Sequence, residues 1–160
     1  MGNRRRSREL ALQTLYALDR TKGQEDSGMV DEAISHMKTW TQDDTDEAED
    51  APAPTESNTD INAFAEKLVR GVIANMQSID NVIGEYSTNW KVPRMALVDR
   101  NVLRLAAFEL MHMNEIPPRV TLNEAIEVAK RYGSKDSGAF INGILDRVAA
   151  LKKNASEKKH

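Results

Sequence analysis

Cysteine is absent from this 160-residue chain, so neither a disulfide framework nor a thiolate metal site can be built. That agrees with a reducing cytoplasm, the expected compartment. Histidine is scarce as well: His36, His112 and His160 stand far apart, without the spacing of metal ligands. No apolar run approaches the ~18 residues of a membrane span, and the early arginines lead into no apolar signal-peptide core, so no membrane is expected. Sustained apolar–polar alternation is missing, which leaves no convincing strand. A glycine-rich phosphate loop after a strand, a nucleophile elbow and an HExxH pair are missing too. Glu124 and Glu127 lie one helical turn apart, but helix capping and surface charge explain them better than acid–base chemistry. The expectation is a protein that is not an enzyme and needs neither metal nor cofactor.

What is present is a globular composition, 40% hydrophobic and 29% charged, of a length that suits one domain with a real core. Its charge is segregated. Between Glu25 and Asp60 there are twelve Asp or Glu and one Lys, a net of −11. The whole chain carries only −3, so the remainder carries +8. One acidic stretch masks a basic body.

Helical periodicity dominates that body. Leu10, Ala11, Leu15 and Leu18 define one side of a first helix ending near Lys22-Gly23. A second, weaker helix is expected over Met29 to Trp40. Residues 41–59, rich in acids and prolines, read as a flexible acidic insertion. Phe64, Leu68, Val72 and Met76 follow i, i+4 spacing on a third helix from about Asp60 to Met76, and a short helix around Ile79 to Tyr86 comes next. The segment from Asn89 to Pro118 predicts one long, largely buried helix that starts after Pro93 and stops at Pro117-Pro118. Thr121-Leu-Asn-Glu124 matches a capping box opening the next helix, and Gly133 suits a left-handed stop. A last helix follows, then a flexible basic tail over 152–160. The fold class is all-α: a bundle of about seven helices in a single domain, 1–160.

Two stretches could carry binding. The chain opens "MGNRRRSRELALQTLYALD", with four arginines in its first eight residues. At ~100° per residue, Arg5, Arg6, Glu9, Gln13, Tyr16 and Arg20 share one sector opposite Leu10, Ala11 and Leu18. Cations hold phosphates, a ring can stack on an unpaired base, and an amide can read a base edge. A solvated helix face carries the same residue types, so the stretch alone leaves both readings open. The second stretch, "KRYGSKDSGAF", gathers Lys130, Arg131, Tyr132, Lys135 and Phe140 around a helix–loop–helix junction. Here Phe140 could equally be core, and Asp136 or Ser137 a helix cap. Gly138 and Gly143 inside a helix, each costing up to ~1 kcal/mol against Ala, suggest close helix packing or close approach by a partner.

Together, "RRRSRELALQTLYALD", "VDRNVLRLAAFEL", "NEAIEVAKRYG" and "DSGAFINGILD" resemble, in the same order, the NusB transcription-antitermination family. The resemblance covers about residues 3–22 and 60–151; Gly23 to Asp60 matches weakly. It implies two small helical subdomains that bind the single-stranded boxA element of ribosomal RNA transcripts. It also implies binding with NusE, a small-subunit ribosomal protein, and joining RNA polymerase and other Nus factors. Carried over by residue, the RNA surface falls on Arg4, Arg5, Arg6, Arg8, Gln13, Tyr16, Asp136 and Phe140. The NusE surface includes Asp99, placed near Tyr16. The Asn142-Gly143 pair is assigned to packing, and a homodimer that hides the RNA face stays open.

Three readings compete. A related helical domain is fused to ribosomal RNA cytosine methyltransferases, but this chain offers no room for their cofactor-binding domain. A helix-turn-helix DNA binder would place Phe, Ile and glycines where polar base-reading groups belong. A protein-only adaptor would not use the arginines at all.

Overall fold

A computed structural model describes residues 2–46, 58–88 and 90–158, with side chains described over 4–40, 58–88 and 90–150. Seven α-helices and one 3-10 turn make up its regular structure, and no strand occurs among the described residues. The chain divides into two compact units, Met1–Ile73 and Ala74–His160.

The first unit is built from α1 (Gly2–Thr21), α2 (Ser27–Asp46) and α3 (Asn58–Ala74). On α1 the apolar positions Leu10, Ala11, Leu15 and Leu18 are all buried, as the periodicity predicts. Ser7 donates its hydroxyl to the Ile61 carbonyl at 2.9 Å, fixing the register of α1 against α3. The helix ends with Lys22 at φ 57°, while Gly23 N–H reaches Leu18 O at 2.8 Å and Lys22 N–H reaches Asp19 O at 3.2 Å. These two bonds form a Schellman stop with lysine in the left-handed position that glycine usually fills. Asp26 caps α2 by accepting the Met29 N–H at 3.1 Å. The helix then runs past the expected Trp40 to Asp46, six residues into the expected insertion, and α3 begins at Asn58. The rest of the expected insertion, 47–57, lies outside the described residues.

Across α2 and α3 runs an ion-pair chain: Asp31 to Arg70 at 2.9 Å, Arg70 to Glu66 at 2.8 Å, and Glu66 to Lys38 at 2.7 Å. Lys38 first, then Arg70, holds the Glu66 carboxyl below its ordinary 4.5. A depressed carboxylate contributes stability that is present above its unfolded value and is lost as pH falls through the folded one. These groups are substantially exposed, so the whole effect is worth no more than about 1 kcal/mol. Glu66→Gln should therefore lower the melting temperature slightly at pH 7. The difference from wild type should shrink as the pH drops below 4.5 and vanish in acid; a gap that persists there would assign Glu66 a packing role instead.

The second unit is built around a nearly buried helix. Its elements are α4 (Met76–Tyr86), a 3-10 turn (Val92–Arg94), α5 (Leu97–His112), α6 (Pro118–Tyr132) and α7 (Ser137–Lys158). Every residue from Asn101 to Leu110 is buried, and α4, α6 and α7 all pack on α5. Apolar rows complete the core: Ile79 and Ile83 from α4, Ala125, Val128 and Ala129 from α6, Ile141, Ile144, Leu145 and Val148 from α7.

The fully buried polar residues of α5, Asn101, Arg104 and Glu109, are paired. Arg104 grips Asp80 of α4 with two bonds, Nε to Oδ1 at 2.8 Å and Nη2 to Oδ2 at 2.9 Å. Its Nη1 donates to Asn101 Oδ1 at 3.3 Å, and Asn101 Nδ2 donates to Leu97 O at 2.8 Å. Glu109 accepts the Thr121 hydroxyl of α6 at 3.2 Å. Arg147 of α7 donates to the Tyr86 carbonyl that ends α4, at 3.1 Å.

Five local expectations are corrected here. The long helix is shorter than its apolar run: Pro93 belongs to the 3-10 turn, and Met95 and Ala96 are extended, with ψ 150° and 143°. Arg100 Nη1 holds that turn by donating to Val92 O and Pro93 O. At the other end α5 closes at His112, before the proline pair. The capping box does not form, because Pro118, whose ring pre-sets a helical φ, starts α6 three residues earlier and puts Thr121 inside the helix. Gly133 is extended, with φ −99° and ψ −162°, not left-handed. A side chain there would collide with the Ser137 hydroxyl and come within 2.8 Å of Ala129 O, so the glycine serves close approach. Met76, expected on the third helix, opens α4. The α7 helix runs on through Lys158 into the expected tail.

Candidate nucleic-acid interface

Four arginines crowd the first turns of α1, whose first turn contains no acidic residue. A helix N-terminus carries a partial positive charge, so cations there are disfavoured by a few tenths to about 1 kcal/mol each. The helix dipole therefore gives no reason for Arg4, Arg5, Arg6 and Arg8, and an anion from outside would suit such a position. Arg5, Arg6 and Arg8 also have partners within the chain. Arg4 and Arg5 are exposed and Arg6 half-buried. In the sector predicted from the helical wheel, Arg20 is also exposed, while Gln13 and Tyr16 are half-buried.

Two members of the set depart from a simple solvated stripe. Glu9, in the same sector, is only 4% exposed, and Arg8 only 5%. Arg8 faces α3, its Cζ lying 5.8 Å from the centre of the Phe64 ring. Arg4, one turn earlier, lies over the same ring at 3.9 Å. Phe64 is half-buried and was legible in the sequence only as part of an apolar row. Nothing local could have tied it to an arginine 60 positions away.

In the second unit, Lys130, Arg131 and Lys135 are exposed around the α6–α7 junction. The Arg131 guanidinium stands 5.4 Å from the Tyr132 ring. Ser137 holds the connection by accepting the Ser134 N–H at 2.9 Å. Asp136 is exposed just before α7, and its carbonyl accepts the Phe140 N–H at 3.1 Å. Phe140 is half-buried one turn into the helix, so its ring is neither sealed in the core nor fully in water. Gly138 is buried, and a side chain there would meet Lys130 and Ile126 of α6 at 3.5–3.7 Å, ordinary close packing. Gly143 corrects its expectation: it is exposed, and a side chain there would meet nothing within 4 Å. The Asn142-Gly143 pair therefore does not serve packing within this unit.

Asp99 occupies the first turn of α5, where a carboxylate suits the helix dipole. Its Oδ1 is buried and has no hydrogen-bond partner among the described residues. No cluster of His, Cys, Asp or Glu able to hold a metal ion occurs among them either. No described helix is long and apolar enough to cross a membrane.

The sequence profile of the NusB family matches residues 5–150. The chain belongs to the NusB family. The transcription antitermination protein NusB of Geobacter sp. (strain M21) is 47% identical over 151 residues, covering 94% of this chain and 96% of that protein. The T. maritima NusB structure superposes with a TM-score of 0.70 at 34% identity, covering 92% of this chain and 90% of that one. A structure of the antitermination factors NusB and NusE in complex with dsRNA gives a TM-score of 0.71. It covers 94% of this chain and 98% of that one, and at 23% identity it shows the shared NusB fold.

Proposed function

We propose that this protein is an RNA-binding transcription antitermination factor. With NusE it binds boxA-type single-stranded RNA in ribosomal RNA transcripts and joins the RNA polymerase complex with other Nus factors. The observation that carries this reading is the crowding of four arginines onto the N-terminal turns of α1 in a chain that matches the NusB family almost end to end. Arg4, Arg5 and Arg6 hold phosphates, while Gln13 and Tyr16 read or stack on unpaired bases. Asp136 and Phe140 extend the RNA contacts from the second unit. Arg8, being buried, acts as a brace beneath them. Asp99 and Tyr16 meet NusE. The role is binding and assembly in the cytoplasm, without catalysis.

Titrating a boxA-like single strand with and without NusE tests this directly. The wild type should bind the strand, and NusE should tighten that binding. Asp99→Lys should bind the strand alone as wild type does, yet lose most of the gain from NusE, with an unchanged circular-dichroism spectrum. A variant that keeps the full gain would remove Asp99 from the NusE surface.

A further inference from the structure

Phe64 stands at the exposed end of an otherwise buried row. Leu68 and Val72, one and two turns on, are completely buried, whereas Phe64 is only partly buried and is covered by the Arg4 guanidinium at 3.9 Å. That separation is direct face-to-ring contact, and the second guanidinium, of Arg8, lies at the outer edge of cation–π range at 5.8 Å. The hydroxyl bond from Ser7 to Ile61, one turn from each partner, fixes the register that brings Arg4 over the ring.

Resting on the RNA reading above, we propose that Phe64 is a positioning residue for the RNA grip: its ring holds the Arg4 guanidinium oriented for a phosphate of the bound strand. A guanidinium is flat, with all five N–H donors in its plane. The ring occupies one face of that plane and uses none of the donors. Arg4 therefore keeps its full fork for a phosphate while losing the freedom that a long side chain on an exposed first turn would otherwise have. Less ordering remains to be done on binding, so the same contact yields a tighter complex. Phe64 needs no contact with the RNA to do this.

The test pairs a binding titration with a measurement on the free protein. Phe64→Leu keeps apolar bulk but removes the ring quadrupole, and Phe64→Trp restores it. Losing a stack of this exposure should weaken binding of a boxA-like single strand about two- to fivefold at fixed salt. Phe64→Trp should bind as wild type does. On an Arg4→Ala background Phe64→Leu should weaken binding no further. In the free protein, the Arg4 side-chain proton resonances should carry a ring-current shift that Phe64→Leu abolishes. If Arg4→Ala weakens binding but Phe64→Leu does not, the positioning role is wrong while the RNA reading stands. Equal loss from Phe64→Leu with and without Arg4 would also overturn it, since the ring would then act by another route. A wild type that binds no single-stranded RNA would overturn the RNA reading and this role together.

Discussion

Arg4→Ala, Arg5→Ala and Arg6→Ala combined should nearly abolish binding of single-stranded RNA at physiological salt while leaving the protein folded. Each phosphate contact adds about 0.7 to the slope of log affinity against log salt for a single strand. Loss of three should flatten that slope by about two. The affinity deficit should therefore be largest in low salt and narrow as salt rises. Stability should move little, because alanine is the better helix former and three cations leave the positive end of a helix dipole. The lost Arg4 stack on Phe64 works in the opposite direction. Unchanged slope with intact folding would mean that the arginines touch no phosphate, and the protein-only adaptor would become the better reading.

The largest expected effect on stability lies far from these arginines. Arg104→Ala should destabilise the protein by about 3 kcal/mol, the lower end of what breaking a buried ion pair costs. The lower end applies because the Asp80 side chain keeps 27% exposure and can recruit water, whereas Arg104 keeps only 7%. For a chain of this size that corresponds to a melting temperature lower by about 6–12 °C. Asn101 loses a donor in the same step. The double variant Arg104→Met with Asp80→Leu should recover most of the loss, since apolar residues of similar volume replace a buried pair well. Denaturant midpoints of the two variants and the wild type decide the matter. A double variant no more stable than Arg104→Ala would show that the pair does more than satisfy itself.

The helices were legible because each buries an apolar row at helical spacing: Leu10 to Leu18 on α1, Leu68 and Val72 on α3, Ile79 and Ile83 on α4. Their ends were less so, because termini depend on which polar group reaches which carbonyl. Pro93 looks helix-compatible until Arg100 pins the carbonyls of Val92 and Pro93 into a separate turn. Thr121 looks like a cap until Glu109, twelve residues back, claims its hydroxyl. The arginine-rich opening was visible as a candidate site in composition alone. Its inner side was not, since a helical wheel placed Glu9 on the polar face and said nothing of the Phe64 ring. The exposure of Gly143 was equally hidden: a glycine in a helix announces a missing side chain, not which way the gap faces.

Asp99 gives the free protein a further property. An oxygen sealed from water without a donor already bears its desolvation in the unbound state, a penalty of order 1–3 kcal/mol. A partner could supply an N–H to Oδ1 only if the start of α5 moves to uncover it, and it would then have little water to strip from that oxygen. The favourable bond then registers in full once formed, and it must be given up again on leaving. Such a contact lengthens the lifetime of a complex more than it hastens encounter, so residue 99 would set how long a partner stays rather than how quickly it arrives.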